Sequence, residues 1–193
     1  YLKNKVSFVR ILAGNFNTAY HVFEILNNRG LALSNKDLLR NFVIKEFDVL
    51  KRGNIQKYAA LNPSEKWNEI DDLTDDFIGR WVESYTANQQ KSSAFNDVRE
   101  IYNNNFHATL AKSKIEIFFV ELKRDLGYYN DIVNFSSLYP HINSKLKFIL
   151  YAPNVRYGLN FLLALAKNLN GFDRNPETTI SYLIEYERYL LNA

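Results

Sequence analysis

Val22-Phe-Glu-Ile-Leu-Asn-Asn-Arg-Gly-Leu-Ala-Leu-Ser-Asn-Lys-Asp-Leu-Leu-Arg-Asn41 reads as the end of one helix, a polar corner and the capped start of a second. Upstream, Thr18 to Leu26 places Ala19, Val22, Phe23 and Leu26 at the spacing of one apolar helix face, with Asn17 or Thr18 available as its cap. Gly30 stands where a chain leaving a helix needs positive φ. Ser34 then opens the next helix: its hydroxyl can accept from the Asp37 N–H while the Asp37 carboxylate reaches back, a shortened capping box. Leu33 and Leu38 flank that cap as a hydrophobic staple. Leu38, Leu39, Phe42, Val43, Phe47 and Leu50 make a wide apolar face that Gly53 closes.

The corner gathers Asn27, Asn28, Arg29 and Gly30, and the following turns add Lys36, Asp37, Arg40 and Asn41. Guanidinium groups and helix-start N–H groups suit anions, so these eight residues form a candidate nucleotide or DNA-backbone site. The same residues are also compatible with a plain, well-capped helical hairpin. The order Phe23, Glu24, Leu26, Asn27, Arg29, Gly30, Leu33, Ser34, Asp37, Leu38, Arg40, Asn41 resembles the F-E-x-L-N-x-R-G-x-x-L-S-x-x-D-L-x-R-N signature of GmrSD-type restriction endonucleases. That resemblance implies a ParB/sulfiredoxin-like nucleotide-binding domain followed by helices. It also implies NTP-linked cutting of modified foreign DNA, often with a fused HNH nuclease domain. The family's D-G-Q-Q-R run and any HNH-like pattern are absent from this sequence. On this reading the chain is part of a longer bacterial protein. NTP, a divalent metal and DNA belong to that parent, together with an upstream ParB-like sheet and a downstream nuclease, and no cofactor belongs to this chain itself.

Composition narrows the alternatives. Lys and Arg exceed Asp and Glu by 24 − 21 = 3, too little to argue nucleic-acid binding from charge alone. With 47% hydrophobic residues, 14 Phe and 13 Tyr, the chain has ample material for a core. The absence of cysteine excludes disulfides, thiolate metal sites and cysteine nucleophiles, and fits a cytoplasmic location. No apolar run reaches the ~18 residues of a membrane span. The absence of methionine also reads as the mark of a fragment.

Along the chain, Lys5 to Ala13 is a partly alternating apolar run, open to reading as a strand or as a first helix. Asn62-Pro63-Ser64-Glu65 is a helix start, followed at helical spacing by Trp67, Ile70, Phe77, Trp81 and Tyr85. Glu69, Asp71, Asp72, Asp75 and Asp76 lie opposite and read as a solvated face ahead of a metal site. Thr86 to Ser93 reads as a loop, and Phe95, Val98 and Tyr102 mark a helix that Asn103-Asn104-Asn105 breaks. Ser113 and Glu116 form a capping box for a stripe of Ile115, Phe118, Phe119, Leu122 and Leu126 that ends at Gly127. Pro140 and Pro153 bracket another helix. Tyr157 to Leu169 is apolar almost all round and reads as the central helix, ended by Asn170-Gly171. Asn175-Pro176 opens the last helix, with Ile180, Leu183, Ile184 and Leu191 inward.

No P-loop, G-x-G-x-x-G, H-E-x-x-H or G-x-S-x-G pattern is present, and His21, His107 and His141 are scattered. Lys145, Lys147, Tyr151, Arg156 and Tyr157 could stack bases, and Lys112, Lys114, Lys123 and Arg124 could touch phosphates. Helical periodicity instead assigns most of these aromatics to the core. The fold expected is mainly α, a multi-helix bundle of about seven or eight helices, with an N-terminal β-strand from a ParB-like sheet as an option. Residues 1–53 would end the ParB-like domain and residues 54–193 would form the helical domain. The function expected is the helical part of a GmrSD-like restriction protein, the alternative being a non-catalytic helical interaction or scaffold domain.

Overall fold

The computed structural model of the chain describes residue 18 and residues 33–86, 94–151 and 158–192. These residues form eight longer helices and no strand. They are α1 Asn35–Gly53, α2 Pro63–Asn68, α3 Asp75–Thr86, α4 Ala94–Asn105, α5 Lys114–Asn134, α6 Pro140–Tyr151, α7 Gly158–Leu169 and α8 Pro176–Asn192, with a 3₁₀ turn at Phe172–Arg174. The mainly α bundle is therefore as the periodicity predicts. The Lys5–Ala13 run and the Asn27-Asn28-Arg29-Gly30 corner lie outside the described residues. None of the described helices is long and apolar enough to cross a membrane.

Local capping sets the helix starts. Ser34 Oγ accepts from the Asp37 N–H at 3.1 Å and donates to the Asp37 carboxylate at 2.7 Å. The Asp37 carboxylate thus reaches the Ser34 hydroxyl, a variant of the expected box. The full capping box does form at α5, where Glu116 accepts from the Ser113 N–H at 2.8 Å. Asn62 caps α2 through a 3.1 Å bond from the Ser64 N–H.

Helix ends differ more from expectation. The run opened by Asn62 is two helices, because Thr74 starts a new one: its Oγ1 accepts from the Phe77 N–H, and Asp75 and Asp76 occupy the first turn. Between them, Ile70 and Leu73 are fully buried, so the connecting turn is anchored in the core. Helix α4 continues through Asn103-Asn104-Asn105, since Tyr102 and Phe106 on either side are both buried. Helix α5 continues past Gly127 to Asn134, held by the buried Ile132, and ends at Phe135 in the left-handed conformation (φ 53°). Asn170 (φ 55°) and Gly171 (φ 96°) end α7 as expected, with the Gly171 N–H bonded to the Ala166 carbonyl at 2.8 Å. Leu191 is exposed instead of inward.

The core centres on edge-on aromatic packing. Phe118 meets Tyr102 and Phe106 at 5.2 Å and Trp81 at 5.9 Å, and Phe42 meets Tyr102 at 5.0 Å. Leu39, Phe42, Val43 and Phe47 bring α1 into this same core. Helix α7 packs against α3 and α5 by one face; Leu159 and Phe161 are only partly buried, so the helix is not enclosed all round. Helix α6 pairs with α8, and Thr179 ties the 3₁₀ turn to α8 through bonds to the Phe172 and Asn175 carbonyls, both 2.9 Å.

Gly127 lies exposed in the interior of α5, and a Cβ there meets nothing within 4 Å. Gly127→Ala is expected to stabilise the fold by about 0.5–1 kcal/mol by removing the entropy cost of a helical glycine. Urea unfolding should show a higher midpoint at unchanged slope; a lower midpoint would contradict a continuous α5.

Candidate functional site

Four of the eight site residues read from the sequence are described, on the first two turns of α1. Lys36 donates its backbone N–H to the Asp75 carboxylate at 2.7 Å, and its ammonium sits 3.7 Å from Asp71. Asp37 is held by Ser34 as above. Asn41 donates to the Asp37 carbonyl at 2.9 Å, and Arg40 is exposed. Asp37 and Asn41 therefore act on the shape of the helix start. Beside it lies an open depression of about 300 Å³, lined by Asp75, Asp76, Glu83, Arg80, Asn35 and Gly79 among others. Three carboxylates against one guanidinium give this depression negative character.

The acidic residues read as a solvated face are exposed, and each has a partner. Glu69 pairs with Lys66 at 2.7 Å and Lys123 at 2.8 Å, which hold its carboxyl below the usual carboxylate range. Asp71 accepts from the Trp67 indole at 2.9 Å, Asp72 from Asn130 at 3.1 Å and Asp76 from the Tyr129 hydroxyl at 2.8 Å. They fasten the α2–α3 turn to α1 and α5. Among the described residues no group of three or more His, Cys, Asp or Glu side chains is placed to hold a metal ion. The proposed phosphate-contacting cations do not form a patch: Lys123 is paired with Glu69, Arg124 points to Asp125, and Lys114 lies over the Tyr102 ring at 4.3 Å. Of the base-stacking set, Lys145 pairs with Glu187, Lys147 lies over Phe135, Tyr151 is exposed, and Arg156 and Tyr157 fall outside the described residues.

The structure reveals a polar centre that helical periodicity does not single out. Asp125 is completely buried on α5. Its carboxylate accepts from the Trp81 indole at 3.0 Å and from the Arg124 guanidinium at 2.9 and 3.1 Å. Lys167 of α7 approaches to 3.5 Å. The Lys167 ammonium also bonds Ser84 Oγ at 3.1 Å and lies 3.3 Å from the centre of the Tyr85 ring. Burial pushes Lys167 down to about 8, against the opposing pull of Asp125. Burial and the Asp125 charge push the Tyr85 phenol well above its ordinary value, and burial with its bond to Asp76 raises Tyr129 to about 12.

A sequence signal for this centre exists only in hindsight: Asp125 falls beside Leu122 and Leu126 on the inward face of α5. Comparison of the chain with protein-family models, with curated proteins and with solved structures finds no match.

Two measurements probe the centre. Removing the Asp125 carboxylate leaves the largely buried Lys167 and the Trp81 indole without their acceptor, while Arg124 keeps Glu121 at 3.8 Å, so Asp125→Ala should cost about 3–5 kcal/mol in chemical denaturation. Lys167→Met leaves Asp125 with Trp81 and Arg124 and should cost far less; equal losses would show that Asp125 is not the anchor.

The pH profile has a definite sign. A lysine lowered to about 8 in the folded state stays charged to about 10.5 when unfolded, so stability rises across that interval, on the order of 3 kcal/mol in all. Tyr85, Tyr102 and Tyr129 are raised on folding, so their contribution is lost as pH climbs above about 10. Denaturation from pH 7 to 11 should therefore give a maximum near pH ~10, and the rising limb should vanish in Lys167→Met.

Proposed function

We propose that this chain is the helical part of a GmrSD-like, NTP-linked, modification-dependent DNA restriction protein in bacterial anti-phage defence. Its role in that assembly is to contribute to a nucleotide or DNA-backbone site through the Asn27-Asn28-Arg29-Gly30 corner. Arg29 is the anion contact, with Lys36 and Arg40 as flanking cations. The support is the sequence run from Phe23 to Asn41, whose second half is a tightly capped helix start. Asp37 bonds both Ser34 and Asn41 there, which fixes the start of α1. The nucleotide, divalent metal and nuclease chemistry belong to the parent protein.

A second reading is a non-catalytic helical scaffold. It is favoured by one specific arrangement: the first-turn N–H groups of Lys36 and Asp37 are taken by Asp75 and Ser34, and the adjoining depression is acidic. Such a helix start offers few open donors to phosphate.

Thermal stabilisation by nucleoside triphosphates separates the two readings, because a ligand that binds only the folded state raises the melting temperature. The parent protein is expected to gain stability with NTP, and Arg29→Ala to remove that gain while leaving the unliganded Tm within a degree or so. No shift in the parent, or the same shift in the variant, favours the scaffold.

A further inference from the structure

A cavity of about 120 Å³ lies where the ends of α5 and α7 meet the 3₁₀ turn and α6. Its floor is apolar and buried: Leu146 of α6, Ala166 of α7 and Phe172 of the 3₁₀ turn. Its rim is polar and open to solvent, with Asp131, Asn170 and Arg174 all exposed. A ligand can therefore pass from solvent to the floor. One water takes roughly 10–15 Å³ of such space, so on the order of ten water-sized atoms fit.

Two left-handed chain reversals shape the walls. Helix α5 ends at Phe135 (φ 53°), and α7 ends at Asn170 and Gly171 (φ 55° and 96°). A Cβ at Gly171 would stand 3.2 Å from the Tyr128 ring, so glycine there lets that ring close against the backbone as one wall. Asp173 is fixed from two sides: one carboxylate oxygen accepts from the Ser137 hydroxyl and the other from the Leu138 N–H at 2.9 Å. Asp131 is different. Among the described residues no hydrogen bond or ion pair reaches its carboxylate, and the charge acting on it is the like charge of Asp173. Desolvation at the rim and that repulsion push its carboxyl above the usual carboxylate range. The Arg174 guanidinium acts on the Tyr128 phenol instead. The polar side of the cavity is thus net negative, above an apolar floor.

We propose that this cavity binds a small organic ammonium ion, its charged head on Asp131 beside Asp173 and its short apolar body on Leu146, Ala166 and Phe172. The head brings the donors and the positive charge that Asp131 lacks, and charge-assisted bonds of this kind are the strong ones. The body takes the place of water over the apolar floor. A metal ion would meet the carboxylates and leave that floor wet, and an anion would be repelled by both carboxylates. Ser137 and Leu138 hold Asp173 in place beforehand, so binding has little side-chain ordering left to do there. The inference is independent of the restriction reading, since it uses none of the α1 residues.

The test is titration of the nitrogen-15-labelled chain with benzylamine at neutral pH, read as changes in amide chemical shift. The Asn170, Gly171 and Phe172 amides are expected to shift and saturate. Benzyl alcohol, which has the same shape without the charge, should bind about tenfold more weakly or worse. Asp131→Asn should weaken benzylamine binding by a similar factor and keep the fold, because the carboxylate it replaces bonds no other described residue. Calcium or magnesium chloride should leave the three amides where they are. In the wild-type chain, no saturable shift at these amides, or equal binding of benzylamine and benzyl alcohol, would overturn the proposal. So would displacement of benzylamine by either metal salt, which would mark a metal site instead.

Discussion

The buried Asp125 carboxylate is the constraint around which the helices are arranged. A lone carboxylate in an apolar interior carries a penalty of several kcal/mol, so its position is acceptable only where donors converge on it. Here they come from three helices: the Trp81 indole from α3, the Arg124 guanidinium from α5 itself, and the Lys167 ammonium from α7. Rotating any of these helices by one residue would turn its donor away. Apolar packing alone tolerates small rotations, whereas this junction does not.

Two further layers build on that junction. The first is the set of edge-on rings around Phe118, which joins α1, α3, α4 and the turn at Phe106 to α5. Edge-to-face geometry fixes ring orientation as well as distance, so these contacts add direction to hydrophobic burial. The second is a rim of carboxylates on the α2–α3 segment, reaching Lys36 on α1 and Lys123, Tyr129 and Asn130 on α5. Exposed pairs of this kind contribute little each, and they add direction to a short turn that Ile70 and Leu73 already anchor in the core.

Among the described residues, two unlike polar regions stand out. The α1 start is an arrangement of short local bonds. The Asp125–Lys167 centre is long-range and buried, with the amine packed over the Tyr85 ring. The first was legible from residues 34–41 because a cap and its partner are three residues apart. The second was not, because Trp81 and Asp125 are 44 residues apart in the chain. On α5, Asp125 looks from its neighbours like one more charge in the Lys123-Arg124-Asp125 run.

The sequence by itself determined several helix starts and that the helices pack into a mainly α bundle. Ser34, Asn62 and Ser113 satisfy their own first-turn donors, and the apolar stripes repeat at helical period, both effects that act within a few residues. Only the tertiary structure decided where several helices stop and which charges go inside. Gly127 and Asn103 to Asn105 are weak helix formers, yet buried Ile132 and Phe106 carry the helices past them or hold the chain beyond them. Asp125 and Lys167 are ordinary surface residue types that become interior ones because partners from distant helices meet them. Propensity costs about 1 kcal/mol or less per residue, and burial and charge pairing exceed that.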